Sequence, residues 1–301
     1  MMKKTLVMAG CTLTACTGMA FGQAHVALGH LPAGGHVDYD FMLLTGEIYI
    51  GMTTPLGSLG TNFATPDTRL SMHQAGGSAI IDNDDAGVDG RGGGAVGPVR
   101  GSAIRYGAGG TDNYTARVRG FGAGDTGSFA ITSAKITPGM GYDFNDIEGN
   151  DTPADAQLIS LGVMQAKVGF GSLTNDDIDY FAVNMLAGDV LSVMTAPMSS
   201  LASQNFLIVD TRLDIRDGAG NIIITNDDAG SDGWGATSGL PVRGSVLRYE
   251  ATADGVVYFA VRGFGSNDVG DYAVLVSLIP APGAGVVLLA GLGVAARRRR
   301  A

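Results

Sequence analysis

Short runs of alternating apolar and polar residues dominate the chain between residues 36 and 279. The clearest are residues 47–52, 114–119 and 256–261, and Gly, Asp, Asn or Pro bounds each of them. Alternation with a period of two places every second side chain on the same face of a sheet, which predicts half-buried strands. Helical periodicity is nearly absent from the same region. The pattern therefore predicts an all-β protein of many short strands.

Several segments occur twice, 143 positions apart. The repeated pairs are residues 67–70 and 210–213 (Asp-Thr-Arg-Leu), 83–87 and 226–230 (Asn-Asp-Asp-Ala-Gly), and 118–122 and 261–265 (Val-Arg-Gly-Phe-Gly). Because the spacing is kept without a gap, the repeat indicates two copies of one folding unit. We place the first unit at residues 31–137 and the second at 144–279. We expect two tandem antiparallel β-sandwiches, jelly-roll-like in topology.

The N-terminal residues predict an export signal. Residues 1–23 combine Lys3 and Lys4 with an apolar stretch and a small-x-small cleavage site. Residues 13–16 also resemble a lipobox, so a lipid on Cys16 is the alternative. Cys11 and Cys16 are the two cysteines of the chain. Ordinary cleavage would remove both, and this would exclude disulfides and cysteine-ligated zinc from the mature protein.

The C-terminal residues 280–301 contain Pro-Ala-Pro, a short apolar run and four arginines. This order resembles the PEP-CTERM sorting signal, with Pro-Ala-Pro where that signal has Pro-Glu-Pro. The resemblance implies a hydrophobic helix in transient or permanent membrane contact and an exosortase-type processing enzyme as partner. A simple C-terminal membrane anchor is the alternative. The residues of the predicted signal are Pro280, Pro282, Arg297, Arg298, Arg299 and Arg300.

The charge of the chain outside these two ends is strongly acidic. Of the 19 basic residues, Lys3, Lys4 and the four terminal arginines lie in the ends, so 13 remain against 29 acidic residues. Such a surface repels phosphate groups and attracts divalent cations. We therefore expect no nucleic-acid partner.

The second unit resembles a known family. Its motifs are residues 146–154 and 175–181, the repeated segments 210–213 and 226–228, Gly-Val-Val-Tyr at 255–258 and Gly-Asp-Tyr at 270–272. This combination is similar to the bacterial pre-peptidase C-terminal (PPC) domain, a β-sandwich attached to secreted proteases and many surface proteins. The resemblance covers the second unit and, less completely, the first from about residue 37.

The resemblance implies a calcium site in the second unit. Relatives of this domain that include collagen-binding modules take their ligands from a Glu-x-Asn-Asp run and from an Asp-x-x-Asp-Tyr strand start. The matching residues are Glu148, Asn150, Asp151, Asp176 and Asp179, with Asp146 as an additional ligand. Calcium prefers such hard oxygen ligands. The alternative is that these acids cap turns and face water.

The repeated Asn-Asp-Asp-Ala-Gly loop is a second acidic element. It contributes Asp84 and Asp85 in the first unit and Asp227 and Asp228 in the second. The loop fails the EF-hand pattern, because Ala86 occupies a ligand position. We favour turns over metal binding here, with Asx turns at the two asparagines and positive φ at the glycines.

Trp234 is the single tryptophan of the chain and follows the second acidic loop. In an exposed loop it could stack on a sugar or anchor a partner. Packing against its own loop is the alternative.

Catalysis has little support in the sequence. The four histidines all lie at or before His73, and no G-x-S-x-G nucleophile motif is present. We expect a non-catalytic exported protein of the cell envelope, cell surface or extracellular matrix. It would bind or scaffold polysaccharide or surface proteins, with Ca2+ stabilising its sandwiches. The alternative is a pair of accessory domains that assist a secreted protease or other hydrolase in trans.

Overall fold

The computed structural model describes residues 24–56, 66–74, 77–198, 209–235 and 237–280. These residues form 22 strands and no helical element, so the all-β prediction is confirmed for them. No helix in this part of the chain is long and apolar enough to cross a membrane. The predicted signal peptide, residues 1–23, and the predicted C-terminal helix lie outside the described residues.

The first repeat contributes ten strands, and the second contributes twelve. The first ten are β1 (Ala24–Leu31), β2 (His36–Leu43), β3 (Ile48–Pro55), β4 (Thr68–Gln74), β5 (Ala79–Asn83), β6 (Val88–Arg91), β7 (Ala95–Val96), β8 (Ala103–Gly107), β9 (Asp112–Gly120) and β10 (Gly127–Ile136). The others are β11 (Phe144–Asn145), β12 (Gln157–Leu158), β13 (Gln165–Leu173), β14 (Ile178–Met185), β15 (Val190–Pro197), β16 (Thr211–Arg216), β17 (Ile222–Asn226), β18 (Ser231–Trp234), β19 (Thr237–Leu240), β20 (Val246–Glu250), β21 (Gly255–Gly263) and β22 (Gly270–Ile279).

Four sheets arise from these strands, two for each half of the molecule. Inner sheet 1 has the order β1-β10-β3-β8-β18-β19, and outer sheet 1 has the order β2-β9-β4-β5. Inner sheet 2 has the order β11-β13-β22-β15-β20-β6-β7, and outer sheet 2 has the order β12-β14-β21-β16-β17. Each inner sheet packs against its outer sheet, which gives two β-sandwiches.

Three large apolar cores and one small cluster, at Ala130, Val190 and Ile279, hold the four sheets together. Tyr49 of β3 lies in the core of the first sandwich, and Val193 of β15 lies in the core of the second. Their chain neighbours Ile50 and Met194 point the other way, into a third core between the two inner sheets. Both faces of the inner sheets are therefore covered. For this reason β3 is buried at all eight positions, although alternation alone predicts a half-exposed strand.

Each half sends one hairpin into the inner sheet of the other half. The β6–β7 hairpin of the first repeat pairs in parallel with β20, with Asp89 opposite Arg248. The β18–β19 hairpin of the second repeat pairs in parallel with β8, with Asp232 opposite Arg105. The two crossings are equivalent under the repeat. The exchange makes the two sandwiches parts of one interlocked structure.

A buried ion pair secures the crossing of the β18–β19 hairpin. Arg105 of β8 and Asp232 of β18 are both 0 % exposed, and Arg105 Nη1 donates to Asp232 Oδ1 at 2.9 Å. The same guanidinium donates to the carbonyl oxygens of Ala229 at 2.8 Å and Thr195 at 2.6 Å. All three acceptors belong to the second repeat. Arg105 therefore holds the other half of the molecule.

The crossing of the β6–β7 hairpin has the same arrangement with the repeats reversed. Arg248 of β20 donates to Asp89 Oδ1 at 2.9 Å, to the Ala86 carbonyl at 2.8 Å and to the Thr53 carbonyl at 2.7 Å. Arg248 and Asp89 are also 0 % exposed. The arginine recurs at equivalent positions of the two repeats, and both copies are completely buried.

Glycines beside the two arginines give them room. A Cβ atom on Gly101 would lie 2.4 Å from Arg248 Cζ, and one on Gly244 would lie 2.4 Å from Arg105 Nε. Any larger residue would clash with the guanidinium of the opposite half. This explains why Arg-Gly-Ser recurs at the same place in both repeats.

The structure corrects the expectation of purely antiparallel sheets. Four strand pairs are parallel: the two hairpin crossings, β11 with β13, and β12 with β14. The sheets also cut across the expected units 31–137 and 144–279, because residues 88–96 lie in inner sheet 2 and residues 231–240 lie in inner sheet 1. A parallel partner must come from a distant part of the chain, which a local sequence pattern does not show.

Arg248→Leu should lower the free energy of unfolding by about 3–5 kcal/mol, because it leaves Asp89 charged, buried and unpaired. Urea unfolding monitored by fluorescence measures this loss. Adding Asp89→Asn should restore part of the stability, since the uncompensated charge disappears. Arg117→Leu is the matched control. Its pair with Asp38 is about one-third exposed, and its loss should cost less than about 1 kcal/mol. Equal losses for the two arginines would contradict this assignment.

Candidate metal centre

A leading segment, residues 143–158, connects the two sheets of the second sandwich. It begins beside inner sheet 2, where the Asp146 amide donates to the Phe170 carbonyl at 2.7 Å. It then reaches outer sheet 2, where the Tyr180 amide donates to the Asn150 carbonyl at 3.0 Å. The segment ends in β12, which pairs with β14. Residues 146–150 therefore cross the edge of the sandwich between its two sheets.

The side chains of Asp146, Asn150 and Asp179 meet at this crossing, and the nearby donor groups are already engaged. Asn150 Nδ2 donates to Asp146 Oδ1 at 2.9 Å and to the Tyr180 carbonyl at 3.0 Å. The Tyr272 hydroxyl donates to Asp179 Oδ2 at 2.6 Å. The atoms left over are Asp146 Oδ2, Asn150 Oδ1 and Asp179 Oδ1; each is buried and accepts no hydrogen bond from an amide, guanidinium or hydroxyl group, while the carboxyls of Asp146 and Asp179 lie within hydrogen-bonding reach of each other.

The cost of these oxygens is high because the site is buried. Asp179 is 0 % exposed and Asn150 is 2 % exposed. A buried polar atom that lacks a partner costs about 1–3 kcal/mol, and a buried charge costs more. All three atoms are hard oxygen acceptors, which is the ligand type that Ca2+ prefers. The chemistry of this set therefore fits a divalent cation.

The electrostatics of the cluster also favour a bound cation. The pKa of Asp179 is raised to about 8, mainly by burial and in addition by the negative charges of Asp146, Asp177 and Glu148, against the hydrogen bond from Tyr272. Burial also raises the pKa of Asp146. The pKa of Glu148 is raised by burial and then by Asp177, Asp146 and Asp151. A cation at this position would relieve the repulsion among these groups.

The predicted ligands do not all have the same place in this cluster. Asn150 and Asp179 lie in it, as does Asp146, while Glu148 and Asp151 are exposed residues of the leading segment. Asp176 is exposed in a turn, with a left-handed φ of 59°. Its neighbour Asp177, which was not among the predicted ligands, is one of the three acids that raise the pKa of Asp179. The Asp177 carboxylate caps a turn, where it accepts hydrogen bonds from the Thr174 amide at 2.9 Å and the Thr174 hydroxyl at 3.2 Å.

Each repeated acidic loop lies beside one further aspartate that was not among the predicted site residues, Asp67 in the first repeat and Asp210 in the second. One carboxylate oxygen each from Asp67, Asp84 and Asp85 lie within 4.8 Å of one another. The group formed by Asp210, Asp227 and Asp228 is equivalent. Within the residues that the structure describes, these are the groups of three acids at such short range. Asp67 and Asp210 belong to the repeated Asp-Thr-Arg-Leu segment, so their recurrence was the available signal.

The asparagines of these loops do not form the Asx turns that we expected. Asn83 Oδ1 accepts a hydrogen bond from the Ala103 amide at 2.9 Å, and Asn226 Oδ1 accepts one from the Val246 amide at 2.8 Å. Each asparagine thus fastens its loop to a distant strand of the same repeat. The expected positive φ is confirmed at Gly87 (87°) and Gly230 (95°).

Trp234 was expected in a loop, but it lies in strand β18. Its indole packs over Gly107 of the first repeat and joins the core between the inner sheets. The equivalent contact in the other crossing is between Arg91 and Glu250, whose charged groups are 3.5 Å apart. Ligand contact by Trp234 stays a prediction, while its packing partner is the opposite half and not its own loop.

The residues of the predicted sorting signal are beyond the reach of the structure, with one exception. Pro280 is the last described residue, and Pro282 and Arg297, Arg298, Arg299 and Arg300 lie outside the described residues.

Comparisons with known proteins do not assign this chain to a family. No family model matches it, and no curated protein matches it. One similar solved structure is a plant complex of the peptide RALF23 with FER and LLG2, at 9% identity and a TM-score of 0.25, covering 86% of this chain and 89% of that chain. The protein YhaK from Escherichia coli has 10% identity and a TM-score of 0.22, with 86% and 87% covered. The CUB1-EGF-CUB2 domain of human MASP-1/3 has 8% identity and a TM-score of 0.21, with 83% and 98% covered. Likenesses this weak carry no argument about the chain.

The raised pKa of Asp179 predicts how the metal-free protein responds to pH. The folded state keeps this proton up to about pH 8, whereas the unfolded chain loses it near the ordinary value of 3.8. Folding therefore binds a proton between these values, and the free energy of unfolding should fall as pH rises through that window and level off above it. Thermal melts in chelator across this range measure the slope. Asp179→Asn should reduce the slope, and the exposed control Asp155→Asn should leave it unchanged. Equal slopes in all three proteins would contradict the prediction.

Proposed function

We propose that this chain is a non-catalytic exported protein whose interlocked β-sandwiches bind or scaffold components of the cell surface or extracellular matrix. Calcium stabilises its second sandwich. The observation that carries this proposal is the set of three buried oxygen atoms without donors on Asp146, Asn150 and Asp179. They lie where the leading segment joins the two sheets. The resemblance to the PPC domain supports the same position for the metal.

The position of the cluster supports a structural and not a catalytic role for the cation. Asn150 and Asp179 are almost completely buried, so a substrate has little access to a metal that they hold. A cation bound by the leading segment and by β14 would connect the segment to outer sheet 2. Its main effect is then to fix the edge of the sandwich.

The surroundings of His73 support the non-catalytic proposal. Ser71 Oγ and His73 Nε2 are 3.0 Å apart, which is the first step of a nucleophile–base pair. However, Ser71 is only 2 % exposed, and His73 Nδ1 faces the Gly77 carbonyl at 3.3 Å and not a carboxylate. A serine buried in this way cannot reach a substrate.

The acidic surface suggests what kind of partner the protein binds. With 13 basic and 29 acidic residues outside the two predicted targeting segments, direct contact with anionic polymers is repulsive at low salt. Bridging by divalent cations, or contact with neutral sugars and surface proteins, avoids that repulsion. We therefore place envelope or extracellular polysaccharide and surface proteins first among the partners. Export through the predicted signal peptide and an exosortase-type system would bring the chain to them.

Calcium should raise the melting temperature of the protein, and part of the rise should depend on the centre in the second sandwich. At a free calcium concentration of 100 times the Kd, one site adds about 2.7 kcal/mol to the free energy of unfolding. The variant Asp146→Asn/Asp179→Asn should lose that increment, and the matched control Asp40→Asn/Asp155→Asn should keep it. Scanning calorimetry with calcium or chelator gives the comparison. The same increment in both variants would reject the proposed centre.

Export and sorting are tested by mass spectrometry of the mature protein from its native host. We expect an N-terminus near Ala24 and loss of the segment from Arg297 to Arg300. Intact terminal arginines on the exported protein would contradict sorting. A pull-down with this material, with and without calcium, should recover envelope polysaccharide or surface proteins. Recovery of a secreted hydrolase without polysaccharide would instead favour an accessory role in trans.

A further inference from the structure

The two acidic triads lie at the points where the chain leaves its own half of the molecule. Asp84 and Asp85 stand in the turn between β5, which belongs to outer sheet 1, and β6, which belongs to inner sheet 2. Asp67 directly precedes β4 and completes the first triad. In the second repeat, Asp210, Asp227 and Asp228 have the same relation to β16, β17 and β18.

Each triad holds buried carboxylate oxygens that no donor satisfies. Asp67 is 6 % exposed, and Arg100 donates to its Oδ2, whereas Asp67 Oδ1 is buried without a partner. Asp84 Oδ1 is likewise buried without a partner. Turn formation does not explain these atoms, because a carboxylate that caps a turn accepts a hydrogen bond from the turn. Their chemistry is that of ligands for a cation.

The same atoms are without a partner in the second repeat. Asp210 is 7 % exposed, with Arg243 on its Oδ2 and no partner on its Oδ1, and Asp227 Oδ1 is also unpaired. The segments that carry these acids have the same sequence in the two repeats, Asp-Thr-Arg-Leu and Asn-Asp-Asp-Ala-Gly, and the geometry recurs with them. Two separate parts of the chain therefore provide the same set of free oxygens.

The charges of each triad are incompletely balanced. Burial raises the pKa of Asp67, and Asp85 and Asp84 raise it further in spite of Arg100. Burial also raises the pKa of Asp210, where Arg243 acts against Asp228 and Asp227. Arg69 and Arg119 also act on Asp84, yet burial and Asp85 still raise the pKa of Asp84. Each group therefore stays short of positive charge despite its arginines.

Solvent reaches both triads through one shallow groove. Asp85 and Asp228, the exposed members of the triads, both line it, together with Gly87, Gly230, Val99 and Val242. The groove spans residues of both repeats. An ion from solution can thus approach each triad through its exposed acid, and the more buried acids lie beneath it.

We propose that each triad binds one divalent cation, with calcium preferred, and that the two ions lock the exchanged hairpins. The ligands are carboxylate oxygens of Asp67, Asp84 and Asp85 in one site and of Asp210, Asp227 and Asp228 in the other, with water completing the shell. These sites are separate from the centre at Asp146, Asn150 and Asp179.

The residue that follows each acidic turn connects the proposed ion site to the exchanged hairpin. Ala86, which directly follows Asp85, donates its amide to the Gly101 carbonyl and accepts Arg248 at its own carbonyl. Ala229, after Asp228, has the same two contacts with Gly244 and Arg105. An ion that fixes the acidic turn therefore fixes the carbonyl that the buried arginine of the other half requires.

The number of bound calcium ions tests this proposal and separates it from the proposed function. Equilibrium dialysis or native mass spectrometry should find three ions on the wild-type protein, one on Asp84→Asn/Asp227→Asn and two on Asp146→Asn. The control Asp40→Asn/Asp155→Asn should retain three. Circular dichroism checks the fold of each variant, and Asp84→Asn/Asp227→Asn should melt higher than wild type in chelator because repulsion is relieved.

Three results have different consequences. Three ions on Asp84→Asn/Asp227→Asn would overturn the triad sites. A single ion on wild type that disappears in Asp146→Asn would overturn them and leave the proposed centre standing. Two ions on wild type that disappear only in Asp84→Asn/Asp227→Asn would support the triads and reject the other centre.

Hydrogen exchange tests the locking role by itself. Calcium should slow exchange at amides of residues 88–91 and 231–234 in the wild-type protein and have no such effect in Asp84→Asn/Asp227→Asn. Unchanged exchange at these amides in wild-type protein with calcium bound would show that the ions do not act on the crossing hairpins.

Discussion

The buried pairs of Arg105 with Asp232 and of Arg248 with Asp89 are the interaction on which the rest of the structure depends. A charge with no solvent exposure needs a partner of opposite sign, and here each partner is on a hairpin from the other repeat. Neither half can satisfy its own arginine. The exchange of hairpins, the packing of the inner sheets and the crossing loops all follow from this requirement.

Charged and polar groups replace disulfides as the braces of this protein. The described residues contain no cysteine, so loops and edges must be fixed by other means. Oxygen atoms without donors occur at the crossing of the leading segment and at the two acidic turns, and both kinds of position are junctions between sheets. Divalent cations at such junctions would add rigidity where backbone pairing ends. The binding surface that we propose is then carried by a rigid scaffold.

Much of the fold was predictable because it is local. The alternating runs indicated strands, and Gly, Asp and Asn between them mark tight turns such as the one at Asp217, whose amide donates to the Asn221 carbonyl at 3.0 Å. The exchange was not predictable. The exchanged strands β6 and β18 have similar sequences, and so do the strands β8 and β20 that receive them. No local pattern therefore shows whether a hairpin pairs with its own repeat or with the other one. Asp177 shows the same limit at the candidate centre, since only the folded structure decides which of two adjacent acids raises the pKa of Asp179.

The sequence by itself determined the strands, the duplication, the excess of acid and the segment in which Asn150 and Asp179 occur. These properties depend on residue type and on short spacing along the chain. The tertiary structure decided which charges are buried, which repeat each hairpin joins and how Asp67 comes to stand beside Asp84. Those outcomes depend on burial and on neighbours far away in the chain, and the energy of a charge is set by such surroundings and not by its own identity.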